Sequence, residues 1–426
     1  MGDIDNTPNP VRQFSIELRN VATGAQTVSP LQSTTAWTTP PLADGTYTWR
    51  VRAYDGALYS EWSSRRIVTV NTKYANMFAD GGIWSAPSGA GSDQIYRGDI
   101  DGDKRDDLLV ATSRINGATQ GLTWYWLRNT GSTFIYAGTV SSSYGRASDT
   151  FYVGDIDGDG KDDLLTATAR VSGNTTLTWY WLRSTGAGFE DRGIINQFYG
   201  SIGDQFFVAD VDGDGKDDLL TGTTRLTGTS TGLTWYWLRS TGTTMEDRGI
   251  ISQAYGIEND LIYSADFDGD GDDDMILAST RFHPETTHMT WYWMRNDGTS
   301  FAYAGILQDA YGIASDRFYV ADFDGDGKDD LLTATPRING NTTLTWYWLR
   351  STGTSFEDRG VMSQAYGGSA DQFYVADFDG DGKDDLLTAT TRVNGSANPL
   401  TWYWLRSTGT SFEDRGVMSQ ADVVTI

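Results

Sequence analysis

The stretch Asp377-Phe-Asp-Gly-Asp-Gly-Lys-Asp-Asp385 decides how this chain reads, because five near-copies precede it. They occupy 99–107, 155–163, 210–218, 266–274 and 322–330, at intervals of 55 or 56 residues. Each has the form D-x-D-G-D-x-x-D-D. Three Asp at alternate positions turn their carboxylates toward one point when the backbone curls, and Gly at position four permits that curl. The Asp at position nine closes the cage, and the carbonyl of position seven adds a neutral oxygen. Flexible, all-oxygen ligation of this kind suits Ca²⁺ better than Mg²⁺ or a transition metal. Solvated acidic turns are the plain alternative. Sixfold repetition of Asp at positions one, three, five and nine favours cages, with structural ions tying the flanking strands together.

The candidate ligands follow copy by copy. The first loop offers Asp99, Asp101, Asp103, Arg105 (through its carbonyl, as for every position seven) and Asp107, and the second Asp155, Asp157, Asp159, Lys161 and Asp163. The third offers Asp210, Asp212, Asp214, Lys216 and Asp218, and the fourth Asp266, Asp268, Asp270, Asp272 and Asp274. The fifth offers Asp322, Asp324, Asp326, Lys328 and Asp330, and the sixth Asp377, Asp379, Asp381, Lys383 and Asp385. The spacing resembles the first half of an EF-hand loop, but position twelve is no bidentate Glu. It falls in apolar runs such as Leu164-Leu165-Thr166, which read as strands.

The six loops hold 31 of the 57 acidic residues, so much of the net charge of −25 belongs to them. Six bound Ca²⁺ would leave about −13, still acidic, which argues against nucleic acid as a partner. With no Cys, disulfides, thiolate metal sites and Cys nucleophiles are excluded. No run approaches 18 consecutive apolar residues, so no membrane span is expected. Met1-Gly2 followed by polar residues reads as the boundary of a mature fragment, with no signal peptide visible. Millimolar extracellular Ca²⁺ would fill weak sites of this type, so a secreted or cell-surface location is expected.

The 49 Gly and the lack of helical periodicity point to many short strands joined by turns. The sixth unit reads as Phe373–Ala376, the acidic loop, 386–391, a turn at Asn394-Gly395, then 400–406 and 411–418. Four short antiparallel strands in a repeat of about 56 residues are the signature of a β-propeller, whose blades must stack to cover their apolar faces. The expected fold is therefore all-β, a propeller of six complete four-stranded repeats, with a seventh irregular blade open, across 73–426. Phe78–Trp84 aligns with Phe356–Met362 as an extra copy of a last strand.

Residues 1–72 lack the repeat. They read as strands at 14–19, 34–39, 46–54 and 65–70, and Pro41–Gly56 with Ser60-Glu61-Trp62-Ser63 resembles part of a fibronectin type III or Ig-like domain. In that reading Tyr47, Trp49, Val51 and Ala53 face a core while Arg50 and Arg52 face water. The rival is an irregular extra blade.

The units themselves, on Phe373-Tyr-Val-Ala-Asp-Phe-Asp-Gly-Asp-Gly-Lys-Asp-Asp-Leu-Leu387 and its five cousins, resemble the FG-GAP or VCBS-type repeats of integrin α-subunit propellers and bacterial surface proteins. The resemblance covers most of 91–426 and implies Ca²⁺ in this loop. Members are usually seven-bladed, whereas six complete units stand here. Two departures matter: Lys104 replaces the position-six Gly, requiring a left-handed backbone that weakens the first site, and Asp272 replaces the usual Lys.

A second recurrent motif is T-W-Y-W-(L/M)-R, in which both Trp and the Arg share one strand face. The rings either fill the wedge between blades or stack on sugars, with Trp126, Trp181, Trp237, Trp293, Trp348 and Trp404 as candidates. A second Arg ends the second strand of every unit (Arg114, Arg170, Arg225, Arg281, Arg337 and Arg392) and is a candidate donor to a ligand. Glu-Asp-Arg-Gly closes four units, and Tyr-Gly precedes five first strands, at Tyr144, Tyr199, Tyr255, Tyr311 and Tyr366. Catalysis has thin support: His283 and His288 are the only His, with Glu285 the one nearby third ligand for a metal, and six equivalent carboxylate sets suit cages better than a unique active site. The expectation is a non-catalytic, calcium-binding extracellular propeller recognising a glycan or cell-surface glycoconjugate, as the similarity to fungal propeller lectins of this repeat family also implies. The alternatives are a protein-adhesion scaffold or the accessory module of a polysaccharide-degrading enzyme.

Overall fold

The computed structural model describes residues 13–33, 37, 39, 42, 45–56, 58–70, 89–117, 121–171, 175–224, 232–337, 343–391 and 400–420. The chain divides into two compact units, Met1–Ile83 with Asp422–Ile426, and Trp84–Ala421. The expected strand copy at Phe78–Trp84 lies outside the described residues, as do parts of the expected strand 34–39.

The larger unit is a propeller. Each repeat folds into one antiparallel sheet with its four strands in chain order. The first strands (Gln94–Gly98, Thr150–Gly154, Gln205–Ala209, Leu261–Ala265, Arg317–Ala321 and Gln372–Ala376) lie side by side around the axis. Gln372–Ala376 neighbours Gln94–Gly98, so the ring closes on six blades. Among the described residues no seventh blade enters it. Bonds across that seam include Asn129 Nδ2 to the Phe378 carbonyl (2.7 Å), Thr133 Oγ1 to that of Met418 (2.7 Å), the Asp106 amide to that of Asp377 (3.0 Å) and the Leu400 amide to that of Gly89 (3.1 Å).

Each wedge between blades has its own core. The Trp face of one sheet packs on the Leu face of the next, as where Trp124 and Trp126 meet Phe151, Leu164 and Leu182. Trp124 meets Phe151 edge-on at 4.8 Å, and Trp179, Trp291 and Trp346 repeat the contact with Phe206, Phe318 and Phe373 at 4.9–5.0 Å. The indole N–H of the first Trp donates to the carbonyl of the Tyr in Tyr-Gly, at 2.9 Å for Trp124 and Tyr144, so burial leaves no donor unpaired.

The smaller unit is a four-stranded antiparallel sheet in the order Gln26–Val28, Gln13–Asn20, Gly45–Tyr54, Arg66–Val70. Its arginines correct the expectation that they face water. Arg50 forks the buried Glu17 (2.9 and 2.6 Å), Arg65 joins it at 2.6 Å, and Trp62 covers both Arg50 and Arg52 at 4.8 and 4.5 Å. Paired in this way, Arg50 is held on the sheet rather than released to water, and Arg50 ahead of Arg65 keeps the Glu17 carboxyl below its ordinary pKa.

Candidate metal loops and inter-blade pockets

Every acidic loop joins the first and second strands of its blade. In the second loop the position-one carboxylate curls the chain around itself: Asp155 Oδ1 accepts from the amides of Gly158 (2.8 Å) and Asp159 (3.1 Å), and Oδ2 from Gly160 (2.8 Å). Gly158 and Gly160 take φ of 73° and 77°, and Lys104 at the equivalent of Gly160 takes 66°, as its sequence position required. Asp163 at position nine is fully buried, accepting from the Ser184 amide on Oδ1 (2.6 Å) and Trp181 Nε1 on Oδ2 (2.9 Å). Burial pushes its carboxyl up to about 7 despite those two bonds.

Position three carries the sign of a missing partner. One oxygen of Asp157 pairs with Arg183, while Oδ1 is buried with no hydrogen-bond partner. The same oxygen is orphaned in Asp101, Asp212, Asp268, Asp324 and Asp379. One buried acceptor left bare is costly, and the six in register are oxygens that a cation could satisfy. Ligand oxygens of Asp155, Asp157 and Asp163 lie within 4.8 Å of one another, as do those of Asp210, Asp212 and Asp218, and of Asp322, Asp324 and Asp330. In the first and fourth loops the grouping is positions one, three and five. The donors are oxygens alone, which fits a hard divalent cation.

Three features escaped the sequence reading. The Arg that ends the Trp motif reaches the acidic loop: Arg128, Arg183, Arg239, Arg295, Arg350 and Arg406 each fork the position-three and position-five carboxylates of their own loop. The side chain of position seven lies over the preceding loop's Gly, as Lys161 does at Gly102, and Lys161 pairs with Asp159 at 3.1 Å. The Asp at position eight belts the ring: the Asp162 carboxylate accepts the Asp99 amide (2.8 Å) while its own amide donates to the Asp99 carbonyl (2.8 Å). Asp217, Asp273, Asp329 and Asp384 do the same to the blade before them. Asp106, Asp162 and Asp217 line an axial cavity of about 430 Å³, and burial followed by repulsion from Asp217 raises the Asp162 carboxyl to about 8. The only trace in the sequence was that position eight is Asp in all six copies.

The second Trp is corrected as a sugar platform. Trp126, Trp181, Trp237, Trp293, Trp348 and Trp404 are all buried, each donating Nε1 to the position-nine Asp at 2.8–3.0 Å. The Glu-Asp-Arg-Gly arginines form surface pairs, Arg192 with Glu190 at 3.4 Å, and also lie over these indoles, Arg192 at 5.5 Å from Trp181.

In the other Arg series, Arg170 and Arg337 line pockets between blades. Arg170 forks the buried Asp149, and Arg114 and Arg337 repeat this with Asp93 and Asp316, while Arg281 gives one bond to Asp260 (2.8 Å) and turns its Nε to Ser279 (2.9 Å); Arg225 and Arg392 lie outside the described residues. Beside Arg170, Tyr144 and Gly145 of one blade face Thr166, Thr168 and Tyr180 of the next around a pocket of about 150 Å³. Between the fourth and fifth blades, Tyr311, Gly312, Thr333, Thr335, Arg337 and Tyr347 repeat the set, joined by His288, around about 260 Å³. Thr166 donates to Tyr144 Oη at 3.0 Å and Thr388 to Tyr366 Oη at 3.1 Å. His283 is engaged by Asp309 at 2.8 Å, which also accepts from Thr290, so it is committed to bracing its loop rather than to a metal with His288 and Glu285.

Residues 99–166, 266–333 and 322–388 match the family model of the FG-GAP-like repeat. No curated protein matches the sequence. Among solved structures, the Photorhabdus luminescens Tc holotoxin pore is similar at 15% identity and TM-score 0.47, over 84% of this chain and 18% of that one. This chain thus spans less than a fifth of the toxin chain's length. A PL25 ulvan lyase bound to its sugar is similar at 12% identity and TM-score 0.39, over 86% of this chain and 91% of that one. CoXyl43, a GH43 β-xylosidase/α-arabinofuranosidase from a compost microbial metagenome, is similar at 12% identity and TM-score 0.34, over 76% and 96%.

Proposed function

Because the chain carries FG-GAP-like repeats, we propose that it is an extracellular, non-catalytic propeller, stabilised by calcium in its acidic loops, that recognises carbohydrate through its inter-blade pockets. The observation that carries the calcium reading is the orphaned position-three oxygen, repeated in six loops of oxygen donors. For recognition it is the recurrence of one polar and aromatic set (Tyr, Thr, Thr, Arg, Tyr) in separate wedges. Each pocket offers hydroxyls and a guanidinium edge beside tyrosine rings, the chemistry that meets sugar hydroxyls and C–H faces. Weak sites repeated on a rigid ring gain avidity. Among the described residues no helix is long and apolar enough to cross a membrane. Residues 1–72 belong to this proposal as an Ig-like module preceding the propeller of 73–426.

A glycan array probed in calcium buffer tests it, with binding to a restricted glycan set expected. Arg170→Ala should lower the number of sugars bound per chain by one while leaving the remaining sites near their original affinity. No bound glycan, or complete loss on this single change, contradicts the reading. The adhesion alternative rests on the fourth blade, where Phe282 is 63% exposed on a loop braced by His283 and Asp309. There, altering Phe282 alone should abolish partner binding.

A further inference from the structure

The six loops are alike in carboxylates but not in the charge that surrounds them. In the second, third, fifth and sixth loops the position-seven Lys runs its stem over the preceding loop's Gly and returns its ammonium to the position-five Asp of its own loop, at 2.9 Å for Lys216 and Asp214. This residue is therefore the wall shared by two neighbouring loops. In the fourth loop the wall is Asp272. Its Oδ1 lies 2.5 Å from where a Cβ on Gly213 of the third loop would stand, and its Oδ2 3.1 Å from that of Gly298. Among the described residues no ion pair holds it. The charges nearest it are Asp270 and Asp266 of its own loop and Asp210 and Asp212 of the third. Asp270 has lost its ammonium and keeps only Arg295, at 2.9 Å. The buried oxygens without partners, Asp212 Oδ1 and Asp268 Oδ1, stand on either side of this wall.

We infer that Asp272 makes the third and fourth loops a high-affinity pair, so that the ring fills with divalent cations in a set order beginning at this junction. The inference rests on the calcium reading above and adds an unequal hierarchy to it. Replacing Lys by Asp changes the local charge by two units beside two sites that each receive a doubly charged ion. Even with water-like screening, such a change is worth about tenfold or more in affinity at separations of several ångströms. The first loop stands at the other end of the order, since Lys104 and Arg105 both bring positive charge and Arg105 pairs with Asp103.

Calcium titration of the full-length, chelator-stripped protein by calorimetry tests this. The wild type should show a tight class of one or two ions and a weaker class for the rest. Asp272→Lys, which restores the residue of the neighbouring blades, should weaken the tight class about tenfold and merge it with the others, with Asp272→Asn between. Lys328→Asp, which builds the same wall between the fourth and fifth loops, should enlarge the tight class, and high salt should narrow the gap between classes. A tight class that survives Asp272→Lys, or a wild type with six uniform sites, overturns the hierarchy while leaving calcium binding intact. A protein that takes up no calcium overturns both.

Discussion

Chelating calcium at pH 8 lowers the thermal midpoint by at least about 10 °C, and the loss shrinks toward pH 5. Each occupied site contributes about 2.7 kcal/mol when the free ion stands at a hundred times its dissociation constant, so six loops together outweigh any single side chain. The pH dependence follows from the carboxyls that the ring crowds together. Burial raises the position-nine carboxyls of Asp107, Asp330 and Asp385 to about 8 and those of Asp163, Asp218 and Asp274 to about 7. In the unfolded chain these groups titrate near 3.9. Between about pH 4 and pH 8 the metal-free folded state therefore holds more protons than the unfolded state. Its stability is fully present at the acid end and is lost as pH rises through the raised values. A bound cation takes the place of those protons, so the gap between loaded and stripped protein widens with pH. Differential scanning calorimetry with calcium or with EGTA, at pH 5 and pH 8, reads both effects. Coincident midpoints at pH 8 would remove the structural role of the ions.

Asp163→Ala costs about 3–5 kcal/mol of stability in calcium buffer, measured by urea denaturation. The carboxylate is fully buried and receives the Ser184 amide and the Trp181 indole N–H. Its removal strands two buried donors at about 1–3 kcal/mol each, and a cage oxygen goes with them. Asp163→Asn should cost less, because its carbonyl oxygen can still accept one of the two bonds while its NH₂ meets the other donor head-on. The exposed Asp191, which accepts only the Gly193 amide at 2.8 Å, is the control: Asp191→Ala should stay within about 1 kcal/mol. Equal losses at the two positions would mean that position nine does not anchor the blade.

Much of the fold was legible because its determinants are local. The D-x-D-G-D curl needs only its own amides, and the Trp faces follow from strand alternation, so loops, strands and wedge cores could be read off one repeat. What was not legible joins residues far apart in the chain. Arg183 reaches Asp157 across 26 residues, which ties the Trp motif to the acidic loop of its own blade. Position eight acts on the blade before it, 63 residues away for Asp162 and Asp99, and nothing within one repeat reveals that. The number of blades depends on closure, fixed by contacts such as Asn129 to Phe378, 249 residues apart. Of the two roles open to the second Trp, burial in the wedge could not be told from sugar stacking because its acceptor, Asp163 for Trp181, lies 18 residues away on another strand. In the smaller unit, Arg50 keeps its place in the alternation but pairs with Glu17, which stands opposite it in register, instead of facing water.

Counting metal on the intact chain goes furthest toward deciding whether the acidic loops are cation sites. After equilibration in millimolar calcium and removal of free ion, elemental analysis should find about six Ca²⁺ per chain, and a calcium anomalous map should place each one beside the position-three oxygens of Asp101, Asp157, Asp212, Asp268, Asp324 and Asp379. Calcium-free protein under those conditions, or ions bound anywhere but these loops, would show that the orphaned oxygens serve some other end.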